Sequence, residues 1–171
     1  MKKNKIKKAF TLIETIVAVS LLASGILVLY GSAARLIYWA TENSTHFTAS
    51  YLAQEGIEIV RNIRDSNWVE DDEISGSIPW NDGLGAGTYY AQYDDAELTA
   101  AAEGDIPNLE VNDNGRYGYE TLGLPGPGID TSNYKRVIEI NTQTDILEII
   151  CTVSWGESSV EIEENLYNWH D

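Results

Sequence analysis

The sequence predicts an α+β protein in which one long N-terminal helix packs on an antiparallel sheet. Residues 15–34 carry no charge and are almost wholly apolar. Residues 35–64 contain no proline and continue with an apolar stripe at three- and four-residue spacing, as in a helix with one buried face. Beyond Trp68, short apolar runs separated by glycine, aspartate and proline predict strands.

The charge of the chain is strongly negative and unevenly distributed. Its 171 residues have a formal net charge of −16, and five of the eleven positive charges fall within the first eight residues. The remaining chain is therefore too acidic for nucleic-acid binding, which needs basic patches that neutralise phosphates. Hydrophobic residues make up 43%, enough for a packed core. The single cysteine, Cys151, excludes a disulfide within the chain.

The first half of the predicted helix has the length of a membrane span. Twenty uncharged residues, 15–34, rise about 30 Å, the hydrocarbon thickness of a bilayer. Lysines precede the span, while Arg35, Tyr38 and Trp39 follow it, which predicts a cytoplasmic N-terminus. A secretory signal peptide is a rival interpretation, but a cut after Ala23 would place Leu21 where a small residue is needed. A plain anchor would leave the charge of Glu14 unexplained.

The second half of the helix is predicted to pack on a domain core. Its polar residues, among them Glu58 and Arg61 at i,i+3 spacing, lie off the apolar stripe. The whole helix is predicted over residues 10–64, with Ser66 and Asn67 ending it. The stripe consists of Ala49, Leu52, Ala53, Gly56, Ile57, Val60 and Ile63.

The C-terminal half predicts an antiparallel sheet. Residues 70–73, EDDE, are interpreted as a solvated loop, with a cation site as the alternative. Strand candidates are residues 88–93, 109–113, 116–120, 134–141, 146–155 and 160–169. Asn114-Gly115 predicts a hairpin turn between the second and third of these, and residues 122–133 predict a loop. In the candidate strand 134–141, Arg136 and Val137 break the alternation of apolar and polar residues. The nearly continuous apolar run of the candidate strand 146–155 predicts a central strand buried on much of both faces. The last three candidates are predicted to pair as a three-stranded meander.

The segment KKAFTLIETIVAVSLLASGIL resembles the N-terminus of type IV prepilins, the family of pilins and type II secretion pseudopilins. The shared pattern is a basic leader, a small residue, phenylalanine, Thr-Leu-Ile-Glu and a long apolar run. Residues 51–68 and the sequence from residue 134 onward also resemble minor-pilin-like proteins, whereas residues 69–106 are not covered. The resemblance therefore implies the type IV pilin fold for the helix and sheet.

The resemblance also implies roles for residues at the start of the chain. Prepilin peptidase would cut between Ala9 and Phe10, and Phe10 would become an N-methylated N-terminus. Ala9 replaces the family's usual glycine, and because alanine is still small enough for a tight peptidase subsite, cleavage is still expected. Glu14 would then be the fifth residue of the mature chain and meet the Phe10 amine of a neighbouring subunit. The side chains that would pack in the filament core are Phe10, Leu12, Ile13, Ile16, Val17 and Leu21.

Known catalytic patterns are absent from the sequence, so an enzyme is not expected and no cofactor is predicted. His46 and His170 do not neighbour a nucleophile motif, and Cys151 lies in an apolar strand, where an inert thiol is the expectation. A calcium loop with ligands Glu110, Asn112 and Asn114 is a weak alternative to the hairpin, because its closing position holds Thr121.

The sequence thus predicts four segments and a structural function. Residues 1–9 form a leader, 10–34 a membrane and filament-core segment, 35–66 the amphipathic half of the helix, and 67–171 an extracytoplasmic domain. The resemblance implies a subunit, more readily minor than major, of a type IV pilus, a DNA-uptake pilus or a secretion pseudopilus. Its implied partners are other pilins, prepilin peptidase, a platform membrane protein and, indirectly, an assembly ATPase. The alternatives are a membrane-anchored binding module and an anchored enzyme.

Overall fold

The structure, a computed structural model, describes residues 11–74, 78–111, 115–119 and 130–168. One helix, α1, runs over Leu12–Ile74, so the predicted long N-terminal helix is confirmed. Residues 1–44 and residues 45–171 form two compact units. The second unit, here called the body, contains the C-terminal part of α1 and all the strands that the described residues form.

The predicted end of the helix at Ser66 and Asn67 was wrong, because α1 continues to Ile74. The Asn67 side chain does not end the helix; its amide nitrogen donates to the carbonyls of Trp80, at 3.2 Å, and Asp82, at 2.9 Å. One residue further on, Trp68 is buried and stacks on Trp80, with 6.4 Å between ring centroids. Burial of this indole stabilises the extra turns. The stretch 70–73, interpreted above as a loop, belongs to the helix.

The main sheet of the body has five strands in the order β2-β1-β6-β7-β8, all antiparallel. Their bounds are β1 Gly87–Tyr90, β2 Thr99–Ala100, β6 Lys135–Thr142, β7 Ile146–Trp155 and β8 Ser158–Tyr167. The predicted meander of the last three strands is confirmed. Gly156, with φ +56°, begins the two-residue turn between Trp155 and Ser158, a conformation that favours glycine.

A second sheet has three short strands in the order β4-β3-β5. They are β3 Glu110–Val111, β4 Tyr117–Gly118 and β5 Asp130–Thr131. The pairing of β3 with β4 confirms the two strands predicted on either side of Asn114-Gly115, in shorter form. β5 lies inside the predicted loop 122–133, so that part of the loop prediction was wrong, whereas residues 122–129 lie outside the described residues. β5 forms because it pairs with the other side of β3.

The body core lies between α1 and the inner face of the main sheet. The whole predicted stripe is buried, and Ile59 and Trp68 of α1 are buried as well. From the sheet, Ile138, Ile140, Leu147, Ile149 and Val153 face this core. Helix on sheet makes a two-layer α+β arrangement, which is consistent with the pilin fold.

The predicted burial of the β7 strand on both faces was wrong. Burial along β7 alternates strictly, with Leu147, Ile149, Cys151 and Val153 buried and the residues between them partly exposed. The reason is that the described residues of α1 cover one face of the sheet. Arg136 is buried on the same face of β6 as Ile138 and Ile140, so it belongs to the core, whereas Val137 is buried as well and breaks the alternation, as predicted.

Candidate functional site

The start of α1 holds Glu14 in the first helical turn. Thr11 precedes the helix, and its Oγ1 accepts a hydrogen bond from the backbone N–H of Glu14, at 3.3 Å. Thr-x-x-Glu is the spacing of a capping box, and a carboxylate in the first turn is favoured by the helix dipole. Thr11 therefore caps the helix through the Glu14 backbone, and the dipole favours the Glu14 carboxylate in this turn. This cap was not predicted from the sequence, although the spacing of Thr11 and Glu14 was its readable signal.

The apolar part of α1 is exposed around its whole circumference. The helix is long and apolar enough to cross a membrane, and none of the most apolar window is buried within the protein. Exposed apolar surface of this extent marks a site of contact with a membrane or with another protein. The side chains predicted to pack in a filament are exposed here: Leu12 80%, Ile13 70%, Ile16 57%, Val17 48% and Leu21 66%.

The serine and threonine hydroxyl groups in this segment are satisfied by the helix itself. Thr15 Oγ1 donates to the Leu12 carbonyl at 2.7 Å, and Ser20, Ser24 and Ser32 donate in the same way to carbonyls three or four residues earlier. An unpaired hydroxyl is costly where no water is available. The polar side chains between Thr15 and Ser32 are thus compatible with hydrocarbon or with a packed bundle of helices.

A buried arginine joins the sheet to α1 in the body. Arg136 Nη1 donates to the Leu52 carbonyl and to Glu55 Oε2, both at 3.0 Å, and Nη2 donates to the Ala91 carbonyl. The Arg136 side chain is fully buried, whereas Glu55 is 31% exposed. Nε is buried without a hydrogen-bond partner among the described residues. One guanidinium thereby fixes the helix, β6 and the segment after β1 against one another.

Gly56 lets α1 approach the sheet beside this arginine. A Cβ on residue 56 would come within 2.5 Å of the Cys151 sulfur and 3.2 Å of Arg136 Cδ. Burial raises the pKa of the Cys151 thiol to about 12, against an opposing effect of the nearby Arg136 charge. A thiol that stays neutral is not a nucleophile, so Cys151 is a packing residue.

Burial likewise raises the pKa of Tyr119 to about 12. Its hydroxyl points at the Arg136 carbonyl, at 3.4 Å. It was not predicted from the sequence that Arg136 and Gly56 together join α1 to the sheet. The available signals were the period-two spacing of Arg136 with Ile138 and the place of Gly56 within the apolar stripe.

Not every predicted site residue can be placed. Ala9, Phe10, Asn112, Asn114 and His170 lie outside the described residues. Glu14 lies on α1, and Glu110 lies on β3 between β4 and β5. His46 packs edge-on against Trp155, with 4.9 Å between centroids.

The N-terminal segment matches a known family model. Residues 4–30 match the model described as the prokaryotic N-terminal methylation motif, which is the type IV prepilin-like signature. Comparison with curated proteins and with solved structures found no match. The motif indicates a type IV pilin-like precursor. The long apolar helix at the N-terminus fits a membrane-anchored precursor of this kind.

Proposed function

We propose that the chain is a structural subunit, a minor pilin or pseudopilin, of a type IV pilus or a type II secretion-like filament. The observation that carries the proposal is the methylation motif at residues 4–30, which includes residues 4–9 of the leader, the Ala9–Phe10 bond and Glu14. The exposed apolar half of α1 and the α+β body support the same assignment.

In this proposal, assembly moves the apolar half of α1 from lipid to other helices. The precursor lies in the cytoplasmic membrane as a single span with its N-terminus inside, because the leader lysines stay cytoplasmic. Extraction brings Leu12, Ile13, Ile16, Val17 and Leu21 into contact with the apolar helices of neighbouring subunits. Both environments exclude water, so the transfer leaves the apolar surface buried throughout.

Cleavage between Ala9 and Phe10 would create a positively charged partner for Glu14. The new Phe10 amine, N-methylated in the mature chain, carries a positive charge in an apolar environment. Two buried charges of opposite sign compensate each other, whereas either one alone is strongly unfavourable. The Glu14 carboxylate of one subunit and the Phe10 amine of its neighbour would therefore set the register of assembly.

The proposed partners follow from this sequence of steps. Prepilin peptidase acts first, then the platform membrane protein and, indirectly, the assembly ATPase, while other pilins are the permanent neighbours. Residues 35–171, which comprise the amphipathic half of the helix and the C-terminal domain, would lie outside the cytoplasm. The alternative is a membrane-anchored extracellular binding module that never enters a filament.

Mass spectrometry of the protein purified from its native membrane tests the proposal. We expect a mature chain that starts at Phe10, with the mass of one added methyl group. An Ala9→Leu variant should keep its leader, because a bulky side chain does not fit a tight peptidase subsite, and Ala9→Gly should be processed at least as fast as the natural chain. An intact leader on the natural protein would contradict the filament assignment and favour the anchored module.

A further inference from the structure

Three adjoining cavities form one groove along a flank of α1 in the body. Their volumes are about 560, 350 and 520 Å³. Tyr93 lines all three, and Asn62 lines two of them, so the cavities lie next to one another along the helix. The helix residues along the groove run from Thr48 to Glu70, a rise of about 33 Å. An extended peptide of about ten residues has the same length.

The first cavity is a cleft walled by aromatic side chains, here called the tyrosine cleft. Tyr51, Tyr93 and Tyr117 line it, and Tyr51 is 68% and Tyr93 42% exposed. The Arg116 guanidinium lies over the Tyr93 ring, 5.2 Å from its centroid. A concave, mainly apolar site with few polar groups is the usual form of a binding pocket. Its tyrosine faces suit an aromatic or large apolar side chain.

The rest of the groove is lined by carboxylates. Glu58 pairs with Arg61 and Asp65 with Arg64, and Asp95 accepts a hydrogen bond from the Gln92 backbone. The others form no ion pair with another described residue; they are Glu70, Asp82, Asp94 and Glu97. Within the described part of the chain, no three acidic, histidine or cysteine side chains come together as metal ligands. Because a metal ion needs its oxygen ligands gathered around one point, carboxylates spread along a groove are better suited to a peptide with several positive charges.

A second copy of the body is a poor occupant. Residues 45–171 contain five Lys or Arg against 25 Asp or Glu. Of these five, Arg61, Arg64 and Arg136 pair with carboxylates of their own chain, and Arg116 lies over Tyr93. Two bodies would meet with like charges at this groove, which disfavours association. A complementary segment is therefore basic and is not supplied by a second body.

We propose that this groove binds an extended basic segment of a different protein, with an aromatic residue of that segment seated in the tyrosine cleft. Lysine or arginine side chains of the segment would pair with Asp82, Asp94 and Glu97. The proposal concerns the body alone and does not depend on leader cleavage or on filament assembly. It assigns a recognition function beyond that of a structural subunit.

Fluorescence anisotropy of a labelled peptide tests the proposal on the full-length protein in uncharged detergent micelles. The probe is the peptide FSKSKSKSKS, and its counterparts are ASKSKSKSKS and FSESESESES. We expect saturable binding of the first peptide, weaker binding of the second and none of the third. The groove variant D82N/D94N/E97Q should raise Kd about tenfold, because three paired charges are lost.

The matched control is E139Q/E161Q/E163Q, which removes the same number of charges from exposed glutamates of β6 and β8. It should change Kd less than about twofold if the groove is the site. Equal weakening by both triple variants would mean general electrostatic attraction and would overturn the proposal, as would the absence of saturable binding. Near-UV circular dichroism verifies that each variant is folded.

The tyrosine cleft has its own test. Tyr51→Ala should weaken binding of FSKSKSKSKS while leaving that of ASKSKSKSKS unchanged. A peptide with benzoylphenylalanine in place of its phenylalanine should cross-link to residues that line the cleft. Equal affinities of the two peptides for the natural protein, or cross-links only to the far face of the sheet, would refute the seating of an aromatic residue there.

Discussion

Gly56 of α1 lies directly against the sulfur of Cys151 on β7. A Cβ added to residue 56 would stand 2.5 Å from that sulfur, well inside van der Waals contact. Cys151 is fully buried, so its sulfur cannot turn away into solvent. The contact shows why a glycine interrupts the apolar stripe of the helix: at this point the helix backbone and the sheet are too close for any larger residue.

Gly56→Ala should destabilise the body. Overpacking of a close helix–sheet contact costs about 1–3 kcal/mol in the free energy of unfolding, measured by urea titration of tryptophan fluorescence. Gly104→Ala is the matched control, since its Cβ would meet nothing within 4 Å, and it should be nearly neutral. Adding Cys151→Ala to Gly56→Ala should restore part of the loss. A Gly56→Ala protein as stable as the natural one would contradict the packing described here.

Removing either side of the Arg136–Glu55 pair should have unequal effects. Glu55→Gln leaves a fully buried guanidinium without its counter-charge and should cost about 3 kcal/mol or more. Arg136→Met leaves a carboxylate that water already reaches, and it removes the hydrogen bonds to the Leu52 and Ala91 carbonyls, so it should cost about 1–2 kcal/mol. Chemical denaturation of both variants measures the difference. The reverse order of stabilities would show that the guanidinium is solvated in the folded protein.

Stability should fall at high pH, in part because of Cys151. Burial raises the pKa of its thiol from 9.0 to about 12, so between these values only the unfolded chain ionises. The stabilising contribution is complete below pH 9 and is lost as the pH rises toward 12, with a slope of up to about 1.4 kcal/mol per pH unit for each proton. Tyr119, whose pKa burial also raises to about 12, adds to the effect.

Cys151→Ala isolates the contribution of the thiol. Below pH 8 the stability difference between the natural protein and this variant should be constant. Above pH 9 the natural protein should lose stability faster, so the two curves of unfolding free energy should converge or cross. Parallel curves up to pH 11 would mean that the thiol titrates alike in the folded and unfolded chains. Iodoacetamide should fail to label Cys151 at pH 8 unless urea is present.

Glu14→Leu and Glu14→Gln should enter the membrane normally and yet be missing from filaments sheared off the cell surface. Each removes the charge proposed to pair with the Phe10 amine, leaving that amine unpaired. Thr11→Ala is the control for helix capping, because it removes the hydrogen bond to the Glu14 backbone and leaves the carboxylate. Immunoblots of membrane and sheared fractions measure the distribution. Normal incorporation of Glu14→Leu would refute the pairing.

The sequence by itself determined the elements whose periodicity is long and regular. The helix stripe from Ala49 to Ile63 was readable because one face of a helix returns every three or four residues and must be buried. The three C-terminal strands were readable because Gly156 and the short connections leave antiparallel pairing as the simple solution. The N-terminal motif was readable because its residues lie next to one another in the chain.

Only the tertiary structure decided features that depend on residues far apart in sequence. Whether Arg136 was an interruption or a core residue depended on Leu52, Glu55 and Ala91, which supply its hydrogen bonds. The helix continues beyond Ser66 and Asn67 because Trp68 stacks on Trp80, which follows the end of the helix in the chain. Local sequence sets the preference of each segment for helix or strand. Burial and pairing with distant groups contribute more free energy than that preference, so they determine where elements end and which polar groups lie inside the protein.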